Sequence, residues 1–146
     1  PRCVISPSAS ILHQSLFEEV GNFDETLPAC EDYDLWLRIC ATEPVAFVPT
    51  PQIEKYGGHE DQLSHQHWGM DRFRIQALEK IIGVGRLDTG DHAAACETLV
   101  RKAQILSTGA RNRSNPERAQ YYQAKADRFR PRERAAFGSR PPNSRM

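Results

Sequence analysis

Hydrophobic and polar positions alternate with two different periods along this chain, and the two periods predict two kinds of element. "QSLFEEVG", residues 14 to 21, is an amphipathic helical stretch closed by Gly21, where glycine accepts the positive φ of a helix end. From Glu31 the positions Tyr33, Trp36 and Cys40, with Leu37 and Ile39 beside them, fit a helix with a broad buried face. Asp34 and Arg38 form an i,i+4 pair on the face expected to be exposed. Phe73, Ala77 and Ile81, flanked by Ile75, Leu78 and Ile82, predict a helix from about His67 to Ile82, broken by "GVGRLDTGD". Two more helices follow, Asp91 to about Thr108 and Pro116 to about Phe129. Asn115 is placed to cap the second and Pro116 to start it, so the pair reads as an antiparallel hairpin.

The shorter period appears at the front. "VISPSASILHQ" reads as strand, turn and short strand, and "PVAFVP" at 44 to 49 as a second convincing strand. The expected fold class is therefore α/β, a partial mixed sheet flanked by helices and followed by a C-terminal helical hairpin. A sheet strand needs neighbours. Because the strand-like "RCVIS" stands at the very start, behind Pro1, the rest of the sheet is expected to come from residues upstream. Three regions result: 1–83, the hairpin 84–130, and a basic tail 131–146, rich in Arg, Pro and Ser, that is expected to be disordered.

At 146 residues and 39% hydrophobic, the chain can bury a core of one domain. Its formal net charge of zero hides a split: eleven acids against three bases (Arg2, Arg38, Lys55) through Asp61, then eight acids against sixteen bases. An acidic front suits a cation or an active site. The basic back half admits peripheral contact with anionic lipid through Arg101, Lys102, Arg111, Arg113, Arg118, Lys125, Arg128 and Arg130, or is a solvated face; no nucleic-acid role is assigned to it. Cys3, Cys30, Cys40 and Cys96 lack CxxC spacing, and neither a signal peptide nor an apolar run of membrane-spanning length appears, so reduced thiols and a cytoplasmic location are expected.

The chemistry concentrates in "NFDETLPACEDYDLWLRIC", residues 22 to 40. Glu31 and Asp32 fall in the first turn of a helix, where free amides and the helix dipole stabilise an anion. Such a carboxylate can take a proton from a hydroxyl within hydrogen-bonding reach, or can simply stabilise the helix. "FEEVGNFDETLPACEDYDLWLRI" resembles, almost position for position, a stretch of family 2 glycosyltransferases: an apolar helix, a Gly-x-Phe-Asp-Glu turn, a short loop, then Glu-Asp-x-Asp-Leu-Trp-x-Arg. The resemblance continues through "PVAFVPTP", the loop that holds "GHEDQLS", and "WGMDRFRIQALEKII", covering roughly residues 1 to 83.

The resemblance implies a GT-A-type fold whose nucleotide-binding half comes first, with this chain as the acceptor-side second half. It further implies inverting transfer of a sugar from a nucleotide-diphosphate-sugar to a glycan or lipid-linked acceptor, as in cell-envelope glycan synthesis, at the inner face of a membrane. A divalent cation, Mg or Mn, is expected on an Asp-x-Asp motif of the first half. Asp32-Tyr33-Asp34 has those letters but lies inside a helix, where residues two apart face different ways. By the same resemblance Asp32 is the general base, Glu31 the second choice or its orienting neighbour, and Asp24 and Glu25 shape the acceptor pocket. His59 either approaches metal or diphosphate or bonds locally, and Trp68 either stacks on a sugar or anchors the next helix. Without its first half the chain is expected to be inactive. The alternative is a non-catalytic interaction module built on the hairpin and a transferase remnant.

Overall fold

The computed structural model describes residues 5–54, 56 and 66–131. Their regular structure is helical: α1 (Gln14–Val20), α2 (Glu31–Cys40), α3 (Asp71–Val84), α4 (Thr89–Asn112) and α5 (Pro116–Phe129), preceded by a 3-10 turn at Pro7–Ala9. Each helix packs against the next in chain order.

Helix ends lie where local chemistry puts them. Gly21, at φ 82, ends α1 and its N–H bonds Phe17 O. Asn115 Oδ1 accepts from Arg118 N at 3.0 Å, with Pro116 opening α5 as predicted. Helix α4 begins earlier than the expected Asp91, because the Asp88 carboxylate accepts from Asp91 N at 2.7 Å and caps it. Helix α3 begins at Asp71 and not at His67, since Gly69 holds φ 60, a left-handed conformation that cannot continue a helix.

The expected mixed sheet is not there. No strand occurs among the described residues, and the GT-A-like α/β reading gives way to an all-helical arrangement. Residues 44–49 carry no regular structure, and Val45, Phe47 and Val48 are 58%, 86% and 64% exposed. Their composition favours a strand, but a ladder forms only where a second segment takes its N–H and C=O groups, and the described residues supply none. Within "VISPSASILHQ" the predicted turn is the 3-10 turn at Pro7–Ala9, and residues 10–13 form no second strand. Residues 1–4 lie outside the described residues.

Two apolar clusters form the core. The larger joins Leu27, Cys30 and Tyr33 to Phe73, Ile75 and Leu78 of α3, Leu99 and Ala103 of α4, and Tyr122 and Ala126 of α5. The smaller sets Leu35, Trp36 and Ile39 of α2 against Ile5, Leu12, Phe17 and Val20. Helix α2 therefore has buried residues on two sides, and between them lies a carboxylate.

Asp34 was expected on the exposed face; it is 1% exposed. Arg38 Nε donates to its Oδ2 at 3.0 Å, and Lys80 Nζ of α3 reaches its Oδ1 at 2.8 Å. The Arg38 guanidinium also donates to the carbonyls of Val20, Gly21 (3.0 Å) and Asn22 (2.8 Å), taking up oxygens that the end of α1 leaves without helical partners. Lys80 Nζ in turn donates to Asp24 Oδ2 at 2.5 Å. One buried carboxylate thus ties together α1, the following loop, α2 and α3. Farther along, Lys102 Nζ bonds Asp71 at 2.7 Å and Lys125 Nζ bonds Glu79 at 2.5 Å, holding α4 and α5 to α3.

Removing one partner of a buried ion pair strands the others, so Asp34→Ala is expected to cost about 3 kcal/mol in urea unfolding. A loss below about 1 kcal/mol would mean that water replaces the carboxylate and that the cluster behaves as a surface pair. The pH dependence has a fixed sign. The hydrogen bonds from Lys80 and then Thr26 hold Asp24 well below the usual carboxylate range. Its contribution is therefore present above the unfolded value of about 3.9 and is lost as pH falls through the lower folded value. Burial lowers the Lys80 pKa, but the hydrogen bonds that it donates to Asp24 and Asp34 outweigh it and the net shift is upward, so its contribution is lost only as pH rises beyond about 10.4. Thermal midpoints measured across the acid range should fall less steeply in Asp24→Asn than in the parent chain.

Candidate functional site

Helix α2 opens unusually. Cys30, its N-cap, holds φ 64 and makes no side-chain cap, and the first turn carries Glu31, Asp32 and Asp34. A left-handed conformation costs a non-glycine residue about 1 kcal/mol. The burial of Leu27, Ala29 and Cys30 on one side and Tyr33 on the other fixes the chain there. The Cys30 thiol lies 3.7 Å from Met70 O, which brings the start of α3 against the start of α2. Burial pushes that thiol up to about 11, Arg74 opposing and Asp32, Glu31 and Asp71 adding to it. Glu31 and Asp32 from α2, and Asp71 and Arg74 from α3, are thus near enough to the Cys30 thiol for their charges to act on it.

Asp71 was not foreseen. Burial acts to raise its pKa, but hydrogen bonds from Lys102 (2.7 Å) and Arg74 (2.9 Å) outweigh it and the net shift is downward. Lys80 was not foreseen either. It sits 56 positions after Asp24, in a helix whose apolar stripe gives no hint of an acidic partner, and no local pattern could have found it.

The expected site residues meet different ends. Glu31 and Asp32 are half-buried in the first turn of α2, and Asp32 Oδ1 accepts from Tyr33 N at 2.7 Å. Asp24 is committed to structure, accepting from Thr26 N at 2.9 Å, Thr26 Oγ1 at 2.6 Å and Lys80. Glu25 is exposed in the same turn. Trp68 is 49% exposed, its ring under the guanidiniums of Arg72 (4.6 Å) and Arg118 (4.1 Å). His59 and the rest of residues 57–65 lie outside the described residues.

Among the described residues the donor set does not fit a divalent cation. No three His, Cys, Asp or Glu side chains converge, and Asp24 and Asp34 are already neutralised by Lys80. Two concavities, of about 470 and about 170 Å³, lie along α4 and α5 and beside the ends of α1, α2 and α3, and neither is lined by Glu31 or Asp32. Cys30, Cys40 and Cys96 are free thiols. No described helix is long and apolar enough to cross a membrane.

No family model matches the chain, and no solved structure matches it. Two curated proteins share a stretch of 46 residues with it, 32% of this chain. An uncharacterized glycosyltransferase of Rickettsia felis is 37% identical there and an uncharacterized glycosyltransferase of Rickettsia conorii 39%. The match spans 8% of the length of each of these relatives.

Proposed function

We propose that this chain belongs to a glycosyltransferase of the family 2 type and supplies the part that meets the acceptor, with Asp32 as the base. The observation that carries the reading is the 46-residue similarity to two proteins named as uncharacterized glycosyltransferases; the family 2 type rests on the sequence resemblance alone. The geometry supports a choice among the acids. Asp24 and Asp34 neutralise Lys80 and Arg38 inside the fold, whereas Glu31 and Asp32 stand in the first turn of α2, partly open to solvent.

In the proposed step the acceptor is a hydroxyl of a glycan or lipid-linked sugar, and the donor is a nucleotide-diphosphate-sugar held by a segment outside these residues. The hydroxyl oxygen attacks the anomeric carbon while an Asp32 oxygen takes its proton. The bond from that carbon to the diphosphate breaks, the nucleoside diphosphate leaves with the electron pair, and the configuration inverts. Glu31, the adjacent acid, orients Asp32 or the acceptor. Any divalent cation belongs to the donor segment.

The test uses the complete reading frame that contains this chain, with release of nucleoside diphosphate measured over a panel of nucleotide-sugars. Asp32→Asn, which keeps the acceptor for Tyr33 N, should lower kcat by about 10²- to 10⁴-fold at an unchanged thermal midpoint. Residues 1–146 alone should transfer nothing. Equal turnover by Asp32→Asn and the parent removes the base assignment. A complete protein with no transfer on any donor favours the non-catalytic module.

A further inference from the structure

The lysines and arginines that hold the helices together have carboxylate partners: Arg38, Arg74, Lys80, Lys102 and Lys125. Arg72 and Arg118 do not. Among the described residues no carboxylate stands within ion-pair distance of either guanidinium, and neither guanidinium donates a hydrogen bond. Both are held by aromatic faces instead. Arg72 lies 4.6 Å from the centroid of Trp68 and 4.3 Å from that of Phe73, and Arg118 lies 4.1 Å from that of Trp68. Arg72 Nε is enclosed with no acceptor among the described residues, and within them the contacts that hold this group are those to the two rings.

Two positive charges with unused planar donors, brought to one indole from two different helices, form an arrangement that ordinary surface solvation does not require. Like charges gathered on one ring repel each other, and the aromatic faces offset only part of that cost. An anion bound at the edge of the ring lowers that cost and fills the donors, and the fork of a guanidinium matches phosphate oxygens in pairs. Trp68 itself is half exposed, so the ligand reaches the arginines from solvent.

We infer that Arg72, Arg118 and Trp68 form a binding site for a phosphate or diphosphate group. The inference stands apart from transfer chemistry, since it uses none of Glu31, Asp32 or the donor. Such a group comes either from a soluble phosphorylated molecule or from a lipid headgroup, and the two sources are separable. Inorganic pyrophosphate titrated into the full chain should shift the indole N–H resonance of Trp68 in a saturable way and leave that of buried Trp36 in place. Arg118 is exposed and Arg118→Gln should fold normally, yet it should weaken binding about tenfold or more. Arg118→Lys, which keeps the charge and loses the fork, should fall between the two.

Phosphatidylcholine vesicles with and without phosphatidic acid form the second arm. Saturable pyrophosphate binding lost in Arg118→Gln supports a site for a soluble ligand. Binding to phosphatidic acid vesicles alone, lost in the same variant, supports the same site with the phosphate supplied by lipid. Binding that Arg118→Gln leaves unchanged, or no binding in either arm, overturns the inference.

Discussion

A carboxylate buried at the centre of α2 is the constraint on which the front of this structure depends. Asp34 cannot sit among apolar side chains as a bare anion. Its two oxygens are therefore met by Arg38 from its own helix and Lys80 from the next. Each cation then carries the constraint outward, Arg38 to the carbonyls that end α1 and Lys80 to Asp24 in the loop. The order of α1, loop, α2 and α3 is an electrostatic arrangement as much as an apolar one. Neither apolar cluster spans it alone, because Leu35, Trp36 and Ile39 belong to one and Tyr33 to the other.

Much of the helical layout was legible in the sequence, because helix ends are local. Gly21, Asn115 and Pro116 act within a few residues of themselves, and the stripe of Phe73, Ala77 and Ile81 needs no partner in order to be seen. The strand at 44–49 was read with the same kind of signal and failed. Val45, Phe47 and Val48 satisfy every local preference for a strand, but a ladder is a relation between distant segments, and local preference cannot supply the second one.

The letters of the candidate site were legible, and the packing that holds them was not. Trp36 was read as core and Asp34 with Arg38 as an ion pair, and both hold; what the sequence did not show is that the pair is buried and that Lys80 joins it to Asp24. Glu31 and Asp32 stand on that frame in the first turn, and Asp71, from a helix that begins 40 residues later than α2, acts on the same Cys30 thiol as they do. Within one short run, then, Asp24, Asp34 and Arg38 hold the fold while Glu31 and Asp32 are left partly open to solvent. The missing term in the sequence was Lys80, whose role exists only once α3 lies against α2.

The uneven charge of the chain takes on a meaning in this light. An acidic front and a basic back suggest two external partners of opposite sign when read along the sequence. In the fold, Lys80 returns to Asp24 and Asp34 across the boundary between the halves, while Lys102 and Lys125 close on Asp71 and Glu79. Much of the apparent surplus is spent on holding one helix to another, so positive charge by itself says little about a partner. Among the described residues several arginines have no carboxylate partner, and of these Arg72 and Arg118 meet at one exposed indole. Recognition by this back half is thus better sought at a place where two unpaired charges converge than in its overall basicity.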